Sequence, residues 1–215
     1  MKKTHLILVL IFITSSFISA QNTYTVGAEG GVKFQTGNLT DVWGEAWGFS
    51  VLGSYNLSNL LGSSTEIQLI LKAGDYSART VQKFNDAYGA IVKTPVSVEW
   101  PLRFMPITLG VKYFLFADDV IKPYVSAAVG TTLMKLLRVS LTAATGTVYN
   151  NGSDVIIGGF SYDFGTGVQF LLSKSIYLDV NAEYDGIAKD IKVPTYTSTS
   201  QFKLIGYNVG LGVRL

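Results

Sequence analysis

The sequence predicts an all-β chain, folded as a closed antiparallel up-and-down transmembrane β-barrel of eight strands. Three observations carry that expectation. Eight segments of about ten residues alternate large apolar side chains with small or polar ones, the two-residue period with which a strand turns successive side chains to opposite faces. The connections between these segments alternate long and short along the chain. Charge is low, at 15 %, yet no apolar run beyond the N-terminal segment approaches the ~18–20 residues of a membrane-spanning helix. Spanning strands spread their membrane signal over alternate residues, so low charge without an apolar helix is the trace a barrel leaves.

The N-terminal segment stands outside that pattern. Met1-Lys2-Lys3 is basic, Leu6 to Ile13 is apolar, and Ser15 to Ala20 supplies small residues ahead of Gln21. This predicts a secretory signal peptide over 1–20, cleaved after about Ala20, with the barrel domain over 21–215. A membrane anchor is the alternative, but the apolar run is too short to cross a bilayer. Loss of Lys2 and Lys3 takes 17 basic residues to 15, against 15 acidic ones. The exported chain is then formally neutral, with no basic footprint for nucleic acid. The only histidine, His5, lies in the leader, and the chain has no cysteine. It therefore has no lipid acceptor at the cleavage site and no disulfide framework.

The first strand runs from Tyr24 to Phe34, with Val26, Ala28, Val32 and Phe34 on one face and Glu29 and Lys33 on the other. Residues 35–45 hold Gly37, Asn38 and Asp41 and read as a loop. The second strand shows Trp47, Phe49, Val51 and Tyr55 on one face, and 56–63 is a compact connection. In the third, from about Ser64 to Asp75, Ile67, Leu69 and Leu71 alternate with Glu66, Gln68 and Lys72. The polar stretch 76–100 reads as a long loop. The fourth strand is clearest from Ile107 to Leu115; the apolar phase breaks near Met105-Pro106, which predicts a bulge there. Residues 116–122 form a short connection, and the fifth strand follows Pro123, with Val125, Val129 and Leu133 on its outer face.

Residues 139–154 read as a loop ending in a strong turn signal, Asn150-Asn151-Gly152. The sixth strand places Phe160, Tyr162, Phe164 and Phe170 opposite Ser161, Asp163 and Gln169, and Ser173-Lys174-Ser175 closes a tight turn. The seventh alternates most sharply: Ile176, Leu178, Val180, Ala182 and Tyr184 against Tyr177, Asp179, Asn181, Glu183 and Asp185. After a polar loop at 187–201, the eighth strand shows Ile205, Tyr207, Val209, Leu211, Val213 and Leu215 on one face. A sheet in lipid must satisfy its backbone internally and hence close, so this last strand should pair with Tyr24–Phe34.

A small barrel has room inside for side chains but not for an open channel. Lipid then takes the apolar faces, and the interior takes a polar network of Glu29, Lys33, Glu66, Lys72, Lys112, Asp163, Asp179, Glu183, Asp185 and Arg214. Both signs are present, as a dry interior requires. Tyr24, Phe34, Trp47, Tyr55, Tyr113, Phe160, Tyr162, Phe170 and Tyr184 fall near strand ends, where interfacial girdles belong. The long connections 35–45, 76–100, 139–154 and 187–201 share one side. Among them Trp43, Arg79, Lys83, Tyr88, Tyr149 and Tyr196 are candidate contact residues.

Pro106-Ile-Thr-Leu-Gly-Val-Lys-Tyr-Phe and Lys122-Pro-Tyr-Val-Ser-Ala-Ala-Val-Gly resemble stretches common in small outer-membrane barrels. The whole exported chain resembles that eight-stranded, OmpA-like or OmpX-like family, although members typically end in an aromatic residue and this chain ends in Leu215. The resemblance implies export through the periplasm to the bacterial outer membrane, insertion by the barrel assembly machinery, and a monomer surrounded by lipid. Barrel enzymes of that membrane use a histidine, which the exported chain lacks. Asp179 and Glu183, or Glu183 and Asp185, could serve as an acid–base pair, or all three as members of an ion-pair network with Lys72, Lys112 and Arg214. Gly165-x-Gly167 and Gly210-x-Gly212 lie mid-strand with no following helix and make no phosphate loop. No cluster has metal-ligand spacing, so no metal, cofactor or catalytic residue is assigned. The expected role is a non-enzymatic structural or surface-interaction role through four long extracellular loops. A narrow pore, or a secreted lipocalin-like ligand-binding barrel with its faces reversed, is the alternative.

Overall fold

Antiparallel pairing accounts for almost every residue that the computed structural model describes: 24–36, 44–58, 66–84, 96–116, 120–137, 139–143, 148–151, 155–193 and 196–215. The strands are β1 (Tyr24–Thr36), β2 (Glu45–Asn56), β3 (Ile67–Phe84), β4 (Val96–Phe114), β5 (Ile121–Leu136), β6 (Val139–Ala143), β7 (Val148–Asn151), β8 (Val155–Leu171), β9 (Ile176–Val193) and β10 (Tyr196–Arg214). Eight of them close a barrel in the order β1, β2, β3, β4, β5, β8, β9, β10 and back to β1. The closing seam is long: Thr25 faces Arg214, Gly30 faces Val209 and Thr36 faces Lys203. The seam ends where Leu215 N–H donates to the Tyr24 carbonyl at 2.9 Å. β6 and β7 form a hairpin that pairs with the upper end of β4, where Val96 faces Ala143.

The side chains sort by face as the alternation predicts. Val26, Val51, Leu71, Leu109, Val129, Phe164, Val209 and Leu211 are all at least half exposed on the outer surface. Glu29, Lys33, Gln68, Lys112, Asp179 and Asn208 are buried inside. This is a soluble barrel turned inside out, and it excludes the reversed, lipocalin-like orientation. Tyr24 and Tyr55 pack at 5.0 Å near one end of the outer surface, and Phe34 and Tyr207 at 6.3 Å nearer the other.

Three connections are shorter than the sequence suggests. β3 continues to Phe84 and β4 begins at Val96, so much of 76–100 is strand. Strand also occupies 139–143 and 148–151, and β9 and β10 extend through 187–193 and 196–201. At ~3.3 Å per residue and a tilt near 40°, the 18 residues of β9 rise about 45 Å, well beyond an apolar band about 25 Å tall. The barrel wall therefore projects from the membrane on the side away from the short turns.

The bulge expected at Met105-Pro106 is absent. Ala73 pairs with Ile107 and Tyr76 with Phe104 in one unbroken register, although Pro106 has no N–H for the ladder. What changes there is polarity. Below this point the outer face of β4 carries Tyr113, Val111, Leu109, Ile107 and Met105 and the inner face carries Lys112 and Thr108. Above it the outer face carries Arg103 and the inner face Leu102 and Phe104. Arg103 is paired outside with Asp75, its Nε 2.6 Å from Oδ1. That ion pair marks the upper edge of the lipid-facing band.

Candidate functional site

Among the described residues, polar side chains converge in the interior, which is built in three layers. In the middle layer Lys33 and Lys72 are held by three carboxylates. Lys33 Nζ lies 2.6 Å from both Glu183 and Asp185, and Lys72 Nζ lies 2.6 Å from both Glu29 and Glu183. Neutral donors fill the remaining acceptor positions. Ser50 Oγ donates to Glu29 at 2.8 Å, Asn181 Nδ2 to Glu29 at 2.9 Å, and Asn208 Nδ2 to Glu183 at 3.0 Å and to Asn181 Oδ1 at 2.8 Å. These groups come from β1, β2, β3, β9 and β10. β3 and β9 stand on opposite sides of the closed strand order, so the layer ties facing walls of the barrel together. Mutual charge attraction of this kind offsets the large desolvation cost of the ions only when the hydrogen bonding is this complete.

The second layer lies nearer the short turns. Asp179 accepts from Lys112 Nζ at 2.9 Å, Tyr124 Oη at 2.6 Å and Gln169 Nε2 at 2.9 Å, and Lys112 also sits 4.0 Å over the Tyr124 ring. At the mouth, Lys122 Nζ is 2.5 Å from Glu66, whose other oxygen accepts from Gln68 at 2.7 Å. Arg214 stands 6.0 Å from the Tyr177 ring and forms no ion pair among the described residues; one of its terminal nitrogens is buried without a hydrogen bond. Glycines make room for the large groups. A Cβ at Gly212 would overlap the Tyr177 ring and hydroxyl, and one at Gly167 would lie 2.6 Å from the Tyr124 hydroxyl.

The third layer is apolar. Tyr76, Leu102, Phe104, Met134, Ile187, Phe202 and Leu204 form one buried cluster with Ala46 and Ala78. Tyr76 and Phe104 stack at 5.4 Å, and Phe202 meets Phe104 edge-on at 6.1 Å. These side chains close the lumen at the end of the lipid band away from the short turns. Tyr76 joins the two chemistries: its ring covers Lys33 at 4.6 Å and its hydroxyl reaches Ser50 at 3.3 Å.

Of the polar residues read from the sequence, Glu29, Lys33, Lys72, Glu183 and Asp185 meet in the middle layer and Lys112 and Asp179 in the second. Glu66 sits apart at the mouth, Arg214 stacks instead of pairing, and Asp163 accepts no hydrogen bond and joins no ion pair among the described residues. Asp179 and Glu183 are each saturated by cations and amides, an ion-pair arrangement and not a poised acid–base dyad. Lys122 and Tyr76 fall in connections by sequence and in the lumen by structure. Each continues the inward phase of its strand by one step, and that continuation is the available signal. Of the loop candidates, Arg79 and Lys83 lie in β3, Tyr149 in β7 and Tyr196 at the start of β10, so these positions are strand; their side chains are outside the described residues. Trp43 and Tyr88 lie outside the described residues altogether, as does the segment read as a signal peptide.

With this geometry in hand, comparison with known proteins settles the family. Residues 6–214 match the model of the outer membrane protein beta-barrel domain. The chain belongs to this family. Among solved structures, Neisserial surface protein A is similar at 16 % identity and a TM-score of 0.50, covering 91 % of this chain and 98 % of that one. A major outer membrane protein from Thermus thermophilus is similar at 11 % identity and a TM-score of 0.56, covering 89 % and 99 %. At these identities the likeness is one of fold. No curated protein matches the sequence.

Proposed function

We propose that this outer-membrane barrel is a closed, non-enzymatic scaffold that presents its extracellular wall and loops to the surroundings of the cell. The carrying observation is the sealed interior. Ion pairs tie the middle of the lumen together, and above them the cluster around Phe104, Phe202 and Met134 fills it. A lumen closed twice offers neither a path for solutes nor an open cleft for a substrate. The features left for interaction are the strands that rise beyond the lipid band and the β6–β7 hairpin set against β4. Export through the periplasm, insertion by the assembly machinery and a monomeric state in lipid belong to the same reading.

Two measurements test it. The full chain, refolded into a planar bilayer, should show no unitary conductance. Cells displaying the protein should adhere to at least one of a set of surfaces coated with anionic polysaccharide, protein or neutral sugar. Cells carrying a version with 139–154 replaced by a short turn should adhere less. Steady unitary currents overturn the closed scaffold, and equal adhesion of the two strains on every surface overturns the interaction role.

A further inference from the structure

Among the described residues Asp163 is the one inward carboxylate with neither a cation nor a donor beside it. It points inward from β8, is only 7 % exposed, and has no hydrogen-bond or ion-pair partner among the described residues. Its cross-strand neighbour on β9 is another carboxylate, Asp185. Like charges directly opposite one another on a shared face are destabilising. The middle layer does not balance them: Lys33 and Lys72 supply two positive charges against Glu29, Asp163, Glu183 and Asp185, four negative ones, while Lys112 is taken by Asp179.

A second feature points to the same place. Ser161, two residues before Asp163 on the same inner face, is buried, and its hydroxyl oxygen has no partner. Ser161 and Asp163 line one small cavity with Thr108, Thr132, Asp185 and Lys33, of about 10 Å³. Roughly 10–15 Å³ is what a single water-sized guest requires. A proton on Asp163 would remove its charge, and a water molecule would partner the Ser161 oxygen. A small cation supplies the counter-charge and the partner in one guest. The ligands on offer are hard oxygens, carboxylate and hydroxyl, which suit hard cations. Calcium takes six to eight such oxygens and magnesium retains several waters, more than this cavity admits beside the Lys33 ammonium.

We propose that Asp163 and Ser161, with Asp185 opposite, form a binding site for one small monovalent cation of sodium size within the barrel. The ion is a structural counter-charge: it joins β8 to β9 at the level where Lys33 ties β9 to β1, and it halves the negative surplus of the layer.

The test uses the full chain refolded in detergent micelles, with the unfolding midpoint followed as sodium replaces choline at constant ionic strength. The wild-type midpoint should rise and saturate with sodium, as for a ligand bound only by the folded state. Asp163→Asn should remove the sodium dependence and be at least as stable as wild type in choline, since an unbalanced charge has gone. Ser161→Ala should keep the dependence but shift its half-saturation to higher sodium, which preserves a readout if the first variant folds poorly. Equal sodium dependence in wild type and Asp163→Asn overturns the site. A wild type indifferent to sodium also overturns it. If that protein is instead stabilised on acidification and Asp163→Asn is not, the counter-charge is a proton held by the carboxyls of Asp163, Asp185 and Glu183, which face the Lys33 and Lys72 ammonium groups.

Discussion

Glu183 accepts from two lysines and an asparagine at once, and its neighbours are arranged around that fact. Lys72 bridges it to Glu29, and Lys33 bridges it to Asp185. Replacing Lys72 by Met would leave two buried carboxylates each short of a cation. Removing one partner of a buried pair costs about 3–5 kcal/mol. Lys122→Met at the mouth should cost less, because its partner Glu66 is 17 % exposed and water can replace the ammonium. Urea unfolding of the two variants in lipid vesicles separates these outcomes, and equal losses would show that the middle layer is wetter than its geometry implies. At this scale the sequence is a good guide wherever alternation is regular: the inward faces of the second half of the chain can be read residue by residue. Pairing is not legible. Which lysine meets which carboxylate depends on strand stagger around a closed barrel, and alternation within single strands carries no record of it. The stacked Arg214 and the unpartnered Asp163 show the consequence, since both have the right face and neither has the expected partner.

A strand reports its two environments only while those environments stay fixed. β9 is clear from Ile176 to Tyr184, where lipid lies on one side and ions on the other. Beyond Ile187, where the outer side leaves the lipid, the same strand reads as a loop in sequence. The same change inverts the polarity of β4 at Met105 and of β10 at Phe202-Lys203-Leu204, whose inner residues are apolar and whose outer residue is a lysine. The backbone register is unbroken through the switch in β4; in β10 it is regular from Phe202 onward and shifts against β9 between Ser200 and Phe202. Within the lipid band the faces make a sharp prediction. Val180→Arg should cost roughly 2–4 kcal/mol, the penalty for a cation on the lipid face near the midplane, and Asn181→Ser much less. Equal tolerance in reversible unfolding would reverse the assigned faces. On β10 the glycines are sites of close approach. Gly212→Ala drives a methyl group into the Tyr177 ring and should cost about 1–3 kcal/mol. Combined with Tyr177→Ala, which empties that space, the same change should cost far less than the sum of the two single effects; strict additivity would place the clash elsewhere.

The whole molecule is closed at two depths by different chemistry, and the two closures are separable. The apolar cluster of Phe104, Met134, Phe202 and Leu204 lies at the end away from the short turns, and the ion-pair layer lies below it. Strand order, closure of β10 on β1 and the sidedness of long and short connections all follow from an even number of alternating segments that must leave no edge in lipid. The upper closure does not follow, because it is built from inward apolar residues at the height where the expected interior is polar. Thr108 sits beneath it, buried on the inner face of β4. Thr108→Cys should resist labelling by small water-soluble thiol reagents added to whole cells. With Phe104→Ala and Phe202→Ala added, the upper closure loses its two stacked or edge-on rings, and labelling should rise severalfold. Conductance should stay absent, because the lysine–carboxylate layer beneath is unaltered. Fast labelling of Thr108→Cys alone would show that the apolar cluster does not seal the lumen. Ionic current in the version lacking both phenylalanines would show that the charged layer, however fully paired, is no barrier by itself.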